Sequence, residues 1–374
     1  MAPAPIRCAV LVPAPAPYRE PLFRALGAHD RLELRVIYSS PRQTSWDQPA
    51  QWFGGERPYD ALYLRAYEVP RRGRTPISWP RGVERSLSRF DPQVVVSSEF
   101  GPGTLRALSW CRRHRRPLVI LTEVTREVEA TLPAPQQAWH RWLAPRVRGF
   151  VAVSARARER LLGLGVSPDA IELSLQSADL APIRAAVAAG PPLSPRSLVR
   201  LLTVGRLVPD KNFGRLLEAC ASAGIPAELH IHGVGPLERE LREAAGRLGV
   251  RAVFRGFSAP AEMARAYADA DLFTLLSTFE PFGVAVREAV AAGLPLLCSR
   301  RVGAVDDLVF EGRNALLVDP EDVGAIASAL RRLCDDDALR LKLADGSRAV
   351  DAEHDLARDV EAFAAAIVRA ASGG

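Results

Sequence analysis

Two carboxylates eight positions apart, in Glu280-Pro-Phe-Gly-Val-Ala-Val-Arg-Glu288, bracket a Pro-Phe-Gly turn between an apolar strand and a helix. Eight helical residues make about two and a quarter turns, so Glu280 is expected in the loop and Glu288 inside the following helix on its cleft side. Between them the amides of Phe282, Gly283 and Val284 would point out of the helix N-terminus, where unsatisfied N–H groups and the helix dipole attract anions. A diphosphate flanked by hydroxyl-rich groups suits this pattern. The helix end would hold phosphates, and the carboxylates would accept hydrogen bonds from sugar hydroxyls. A solvated loop glutamate beside a surface-helix glutamate would leave the same letters, so the pattern needs support from elsewhere in the chain.

Upstream, the run Leu201-Leu-Thr-Val-Gly205-Arg206-Leu-Val-Pro-Asp-Lys211-Asn212 reads as a strand, a tight turn and a helix start. Of 49 basic residues, only Lys211 and Lys342 are lysine. Such arginine usage, with abundant alanine, suggests a coding bias that would place arginine wherever either residue serves. A compact ammonium is therefore expected to be required at Lys211, since lysine meets phosphate as a point charge and arginine as a planar fork. With Arg206 before it, the loop offers two cations to one anion. A surface ion pair or a helix cap is the plainer account of the same residues.

Together these stretches resemble the family 4 retaining glycosyltransferases of the GT-B fold, and the resemblance covers most of the C-terminal half. The family's Gly-x-Gly-Pro turn is present as His232-Gly233-Val-Gly235-Pro236, and its strand end as Phe254-Arg255-Gly256-Phe257. Glu288-Ala-Val-Ala-Ala-Gly293-Leu-Pro295, Gly303 with Asp306-Asp307, Glu311-Gly312-Arg-Asn314 and Leu316-Leu-Val-Asp-Pro320 continue in the family's order. The proline-rich loop after the first strand, with Tyr18-Arg19-Glu20-Pro21-Leu22-Phe23, is similar to that of a subset of family 4 enzymes.

Composition agrees with this resemblance. A chain of 374 residues with 48% hydrophobic content is large enough for two ordinary cores. The five cysteines are scattered without a Cys-x-x-Cys pair, so neither a disulfide framework nor a zinc site is expected. No apolar run approaches the roughly 18 residues of a membrane span. Arg7 followed by Cys8 to Val12 reads as a strand rather than a signal peptide, so a cytoplasmic protein is expected. The net charge of +6 is uneven: residues 1–190 carry 27 basic and 17 acidic side chains, the remainder 22 and 26. That excess could draw an anionic acceptor, or hold Arg112-Arg113-His114-Arg115-Arg116 against an acidic membrane at its inner face. A solvated helix face in an arginine-biased chain gives the same count. No nucleic-acid motif accompanies it, so no nucleic-acid partner is expected.

Short apolar strands alternate with helical stretches in two series: Cys8–Val12, Leu32–Tyr38, Val94–Ser97, Leu118–Leu121 and Phe150–Val153, then Leu201–Val204, Glu228–His232, Ala252–Phe254, Leu272–Leu275 and Leu296–Cys298. Fully apolar strands between helices imply parallel sheets covered on both faces. The expected architecture is α/β, two Rossmann-like doubly wound domains facing across a cleft, with ligands beyond the carboxyl ends of the strands. The breaker cluster in Ala181 to Arg200 reads as the interdomain linker. We therefore expect an N-terminal domain over residues 1–185, a C-terminal domain over 196–350, and a closing helical segment over 351–374 that the resemblance carries back to the first domain.

The resemblance implies that the C-terminal domain binds a nucleoside-diphosphate sugar and the N-terminal domain an acceptor. Arg206 and Lys211 would stabilise charge on the diphosphate leaving group, and Glu280, with Phe282, Gly283 and Val284, would receive the donor sugar. Glu288 would take the ribose hydroxyls. Gly205 and Gly233 would admit the nucleotide closely, His232 would line its cleft, and Arg255, Gly256 and Phe257 would border the base. The acceptor, a hydroxyl or amine, could be lipid-linked, part of a polysaccharide or a natural product.

The first half departs from the better-known pattern. Tyr18 and Arg19 stand in a stiff loop in place of a glycine-rich one, as candidates for the acceptor or donor-phosphate side. Glu123 stands where the family often has histidine, either serving the site or pairing with Arg126, and Glu99 is a further candidate. No cofactor or metal is expected: Asp269-Ala-Asp271 ends a helix, and His230 and His232 share a strand face without an evident acidic partner. A phosphorylase or sugar-nucleotide epimerase of the same fold, or a non-catalytic sugar-nucleotide-binding protein, would use the same phosphate cradle.

Overall fold

Strands apolar on both faces need helices above and below, and the chain meets that need twice. The computed structural model describes residues 4–40, 57–71, 74–190 and 198–373. Two units divide the chain, Met1–Asp179 with Leu356–Gly374, and Leu180–Asp355.

The first unit contains β1 (Ile6–Val12), β2 (Leu32–Tyr38), β3 (Asp60–Tyr63), β4 (Arg65–Arg71), β5 (Arg74–Arg81), β6 (Val94–Ser98), β7 (Leu118–Thr122), β8 (Gly149–Ala152) and β9 (Ile171–Leu173). Seven of these form a parallel sheet in the order β3-β2-β1-β6-β7-β8-β9. β4 and β5 make a separate antiparallel ribbon that sets Tyr67 opposite Trp79. Ile37, Val95, Ile120 and Phe150 of the sheet pack with Leu87, Trp110 and Leu161 of its helices. Each such side chain, fully buried, contributes roughly 1.5–3 kcal/mol before chain entropy is counted.

The second unit contains β10 (Val199–Val204), β11 (Ala227–His232), β12 (Ala252–Gly256), β13 (Leu272–Leu275), β14 (Leu296–Ser299) and β15 (Ala315–Val318). Its six strands are parallel in the order β12-β11-β10-β13-β14-β15. Leu201, Leu229, Ile231 and Leu297 pack under Leu216, Leu217 and Leu330. The strand order reverses between β1 and β6 in one sheet and between β10 and β13 in the other. Ligand crevices of doubly wound sheets open at such reversals, beyond the strands' carboxyl ends.

Two sequence expectations need correction. The linker expected from Ala181 begins as a helix, Ala181–Ala189, in the second unit, because Pro182 sits in the first turn, where its missing N–H costs nothing. The Pro191 to Pro195 part of that cluster lies outside the described residues. The closing segment expected over 351–374 groups with the first unit only from Leu356: residues 351–353 end the helix Asp337–Glu353 of the second unit, and after His354 and Asp355 the helix Leu356–Ser372 joins the first. That last helix buries Val360, Phe363 and Ile367, and Asp359 accepts a hydrogen bond from the Leu175 amide at 2.8 Å.

Candidate active site

At the reversal point of the second sheet, the chain leaves β10 through Gly205, whose N–H donates to the His232 carbonyl at 3.0 Å. Gly233 follows β11 at φ +146°, and a Cβ on it would meet the Gly205 carbonyl. Only glycine fits there. The Gly233 amide in turn donates to the Gly256 carbonyl at 2.8 Å, which ties the ends of β10, β11 and β12 together through backbone alone.

Arg206 is exposed on the loop after Gly205, and Lys211 closes a short 3-10 turn, Pro209–Lys211. Asn212 then takes the left-handed conformation at φ +60°. Its buried Nδ2 donates to the carbonyls of Leu276 at 3.1 Å and Pro320 at 2.6 Å, fastening the loop to the segments after β13 and β15. Lys211 Nζ is thereby delivered to Glu280, donating to Oε2, and Ser277 Oγ reaches the same oxygen at 3.3 Å. The sequence reading gave these two charges to different parts of a ligand, and the structure also joins them to each other. Each opposite charge lowers the other's cost of burial. Glu280 Oε1 has no hydrogen-bond partner among the described residues.

The Glu280-Pro-Phe-Gly turn is held from beneath. The Gly303 amide donates to the Glu280 carbonyl at 2.9 Å and the Ala304 amide to the Phe282 carbonyl at 2.8 Å. Phe282 is buried, and Gly283, at φ +99°, is the N-cap of the helix Val284–Ala291. No side chain caps that helix, so its first amides are left for another acceptor.

Glu288 lies in this helix, where burial pushes its carboxyl up to about 7 while a bond from the Tyr267 hydroxyl to Oε2, 2.7 Å long, pulls it down. Arg255 and Phe257 are exposed on either side of Gly256. His232 is buried with Nδ1 2.8 Å from Ser258 Oγ, and burial above all lowers its imidazole to about 4. With Arg255 and Ser258 it lines a cavity of about 610 Å³ that runs along the sheet face to Arg200.

His230 does have an acidic neighbour, contrary to the sequence reading: Glu228, two residues back on the same strand face, lies 2.6 Å from Nε2. Asp271 of the Asp-Ala-Asp pattern serves the fold, accepting the Arg200 amide at 2.9 Å. Among the described residues no group of three or more His, Cys, Asp or Glu could hold a metal ion.

The first unit gathers its four candidates at its own reversal point. Glu99 follows β6 at φ +60°, unusual for a residue with a side chain. Its carboxylate accepts from Thr122 Oγ1 at 2.8 Å and from the Glu123 amide at 2.7 Å, clamping the end of β6 to the end of β7. Burial, and then the Glu123 charge, lift it to about 7. Arg19, buried, approaches Glu123 Oε2 at 3.8 Å and lies over the Tyr18 ring at 5.7 Å. Gln176 Nε2 reaches the same carboxylate at 3.4 Å. Glu123 is not paired with Arg126, which lies 3.3 Å from Glu159 instead.

Sequence reasoning passed over several supports of these sites. Tyr267 was not singled out, since a tyrosine within a helix does not show in sequence that its hydroxyl meets Glu288. Glu129, His140 and Arg160 are distant in sequence, yet Arg160 Nη2 donates to Glu129 Oε2 at 2.6 Å, and His140 Nδ1 lies 2.8 Å from that oxygen. Phe100, next to Glu99, packs against both the Arg160 guanidinium at 4.8 Å and the His140 ring at 4.4 Å.

Among the described residues, no helix is long and apolar enough to cross a membrane. Residues 193–350 match the family of "Glycosyl transferases group 1", and residues 24–174 match "Glycosyltransferase Family 4". The chain is 25% identical over 334 residues to the sulfoquinovosyl transferase SQD2 of Arabidopsis thaliana, covering 82% of this chain and 62% of that one. It is 36% identical over 155 residues to a D-inositol 3-phosphate glycosyltransferase of Corynebacterium urealyticum, covering 38% and 36%. These matches thus span less than two thirds of either relative.

The solved structure of Anabaena HepE in complex with UDP superposes with a TM-score of 0.75 at 18% identity, over 96% of this chain and 99% of that one. A glycosyltransferase from Rickettsia africae gives 0.75 at 14% identity, over 99% and 100%. Two Rossmann-like parallel sheets, matched in sequence on both halves and in fold over the whole chain, place this protein in the family 4 glycosyltransferases of the GT-B fold.

Proposed function

We propose that the protein transfers a sugar, with retention of anomeric configuration, from a nucleoside-diphosphate sugar to an acceptor hydroxyl or amine. The observation that carries this reading is the Lys211–Glu280 pair beside an uncapped helix start and the close backbone approach of Gly205 and Gly233. In this reading the diphosphate lies against the amides of Gly283 and Val284, with Lys211 and Arg206 beside it. The cations stabilise negative charge that grows as the glycosidic bond breaks, a contribution larger in the transition state than in the ground state. Glu280 receives Lys211 on Oε2 and offers Oε1 to the donor sugar's hydroxyls. Glu288 takes the ribose. Retention suits attack from the face of the leaving group, with the departing phosphate accepting the acceptor's proton.

Glu99 and Glu123, with Arg19 and Tyr18, are the proposed acceptor-side groups of the first unit. Their chemistry supports a hydroxyl or amine acceptor, since carboxylates accept the hydrogen bonds that such groups donate. No metal is assigned a role. The relatives named above support a sugar-nucleotide donor, because the Anabaena protein was solved with UDP.

Incubating the protein with UDP-, GDP-, ADP- and dTDP-sugars in the presence of candidate acceptors tests the proposal. Release of the nucleoside diphosphate together with an α-linked product from an α-linked donor, lost in Lys211→Ala, is expected. Product formation that requires inorganic phosphate in place of an acceptor would establish a phosphorylase instead.

A further inference from the structure

Tyr267 is fully buried in the helix Pro260–Asp269, and its hydroxyl lies 2.7 Å from Glu288 Oε2 and 3.3 Å from the Ala285 carbonyl. A phenol has one proton to donate. The shorter contact is to the carboxylate, so the hydroxyl spends that proton on Oε2. Glu288 Oε1 has no hydrogen-bond partner among the described residues, and it retains two lone pairs. A vicinal diol presents two donors at a spacing that one carboxylate oxygen, or both lone pairs on it, can accept. We propose that Tyr267 is a positioning residue that fixes the Glu288 carboxylate to receive the 2′- and 3′-hydroxyls together, making the donor site selective for ribonucleotides over 2′-deoxyribonucleotides.

This inference rests on the donor-site reading given under the proposed function. Two physical arguments support it. A buried acceptor held in one orientation loses a bond outright when the ligand lacks a hydroxyl, whereas a carboxylate free to turn can satisfy itself elsewhere. The Tyr267 ring is also held independently of the dyad, packed 6.0 Å from Phe273 of β13, so the hydroxyl is supplied from the rigid core.

The dyad further couples nucleotide binding to proton loss. Donation from a diol favours the ionised carboxylate, and the Tyr267 hydroxyl favours it too. Removing that hydroxyl therefore moves the pH midpoint of nucleotide affinity upward.

The test measures the affinities of UDP, GDP and ADP, each beside its 2′-deoxy counterpart, by calorimetry on wild type, Tyr267→Phe, Glu288→Gln and the double variant. The wild type should prefer the ribonucleotide of at least one pair. Tyr267→Phe should weaken that ribonucleotide roughly tenfold and its deoxy form much less. The same variant should raise the pH midpoint, and it should add nothing in the Glu288→Gln background. Equal losses for both sugars, an unchanged preference or full additivity would overturn the inference while leaving the donor site standing. Failure of the wild type to bind any of the three ribonucleotides would overturn both the inference and the reading beneath it. Should Tyr267→Phe not fold, Tyr267→Met removes the hydroxyl with similar bulk and is read the same way.

Discussion

The carbonyl of Gly205 occupies the place a Cβ on Gly233 would need, so two strands of the second sheet end in direct backbone contact. Gly233→Ala adds both a steric clash and a side chain at φ +146°. The expected destabilisation is at least about 2 kcal/mol, with a fall in Tm of roughly 4–8 °C. Thermal unfolding checks it, and an unchanged Tm would show that the strand ends yield more easily than the structure indicates.

Lys211 tests the chemistry. Lys211→Ala removes the ammonium that Glu280 orients, and turnover should fall by roughly 10²–10³ if it stabilises the leaving group. Lys211→Arg keeps the charge but replaces a compact point with a wider fork, and should also be slow. Steady-state kinetics of sugar transfer decide the matter. Wild-type rates in the arginine variant would show that any cation serves.

Glu288 gives a prediction in pH. Burial lifts its carboxyl from the ordinary 4.5 to about 7. Between those values the folded protein keeps a proton that the unfolded chain has already released. Its contribution to stability therefore falls as pH rises from about 4.5 to 7 and is flat above that. The full cost is on the order of 3 kcal/mol. Glu288→Gln removes the titration, so its Tm relative to wild type should rise by several degrees between pH 5 and pH 8. A difference that stays constant across that range would contradict the raised value.

All five cysteines are free and buried, and burial pushes the thiols of Cys8, Cys111, Cys220, Cys298 and Cys334 upward. Thiolate is the reacting form. The native protein should leave all five unmodified by a thiol reagent over the minutes in which the denatured chain reacts fully. Mass spectrometry would show any early modification.

The parts legible in sequence are those written in local patterns. Apolar runs such as Val94 to Val96 announce buried parallel strands, and β13 runs over the very residues expected, Leu272–Leu275. β4 and β5 were missed because Arg74–Arg81 carries two prolines, which an isolated ribbon tolerates and a central strand does not. The Pro-Phe-Gly turn and the rare lysine Lys211 pointed to one loop system, and Lys211 does meet Glu280. Their mutual pairing was not readable, because charge patterns do not say whether opposite charges await a ligand or each other. Tyr267 was hidden for a similar reason: a tyrosine at an apolar helical position reports its ring, while its hydroxyl's partner lies on another helix. The Glu99 clamp depends on a left-handed backbone that nothing in Ser98-Glu99-Phe100 advertises.

The first unit is finished by the helix Leu356–Ser372, separated from the rest of it by the whole second unit. During synthesis the early strands therefore emerge with one of their covering helices still untranslated, and Phe363 and Ile367 cannot shield them until the whole second unit has been made. The second unit is contiguous and meets no such wait, so the lobe that begins to appear later is the first whose whole complement of strands and helices is available to fold.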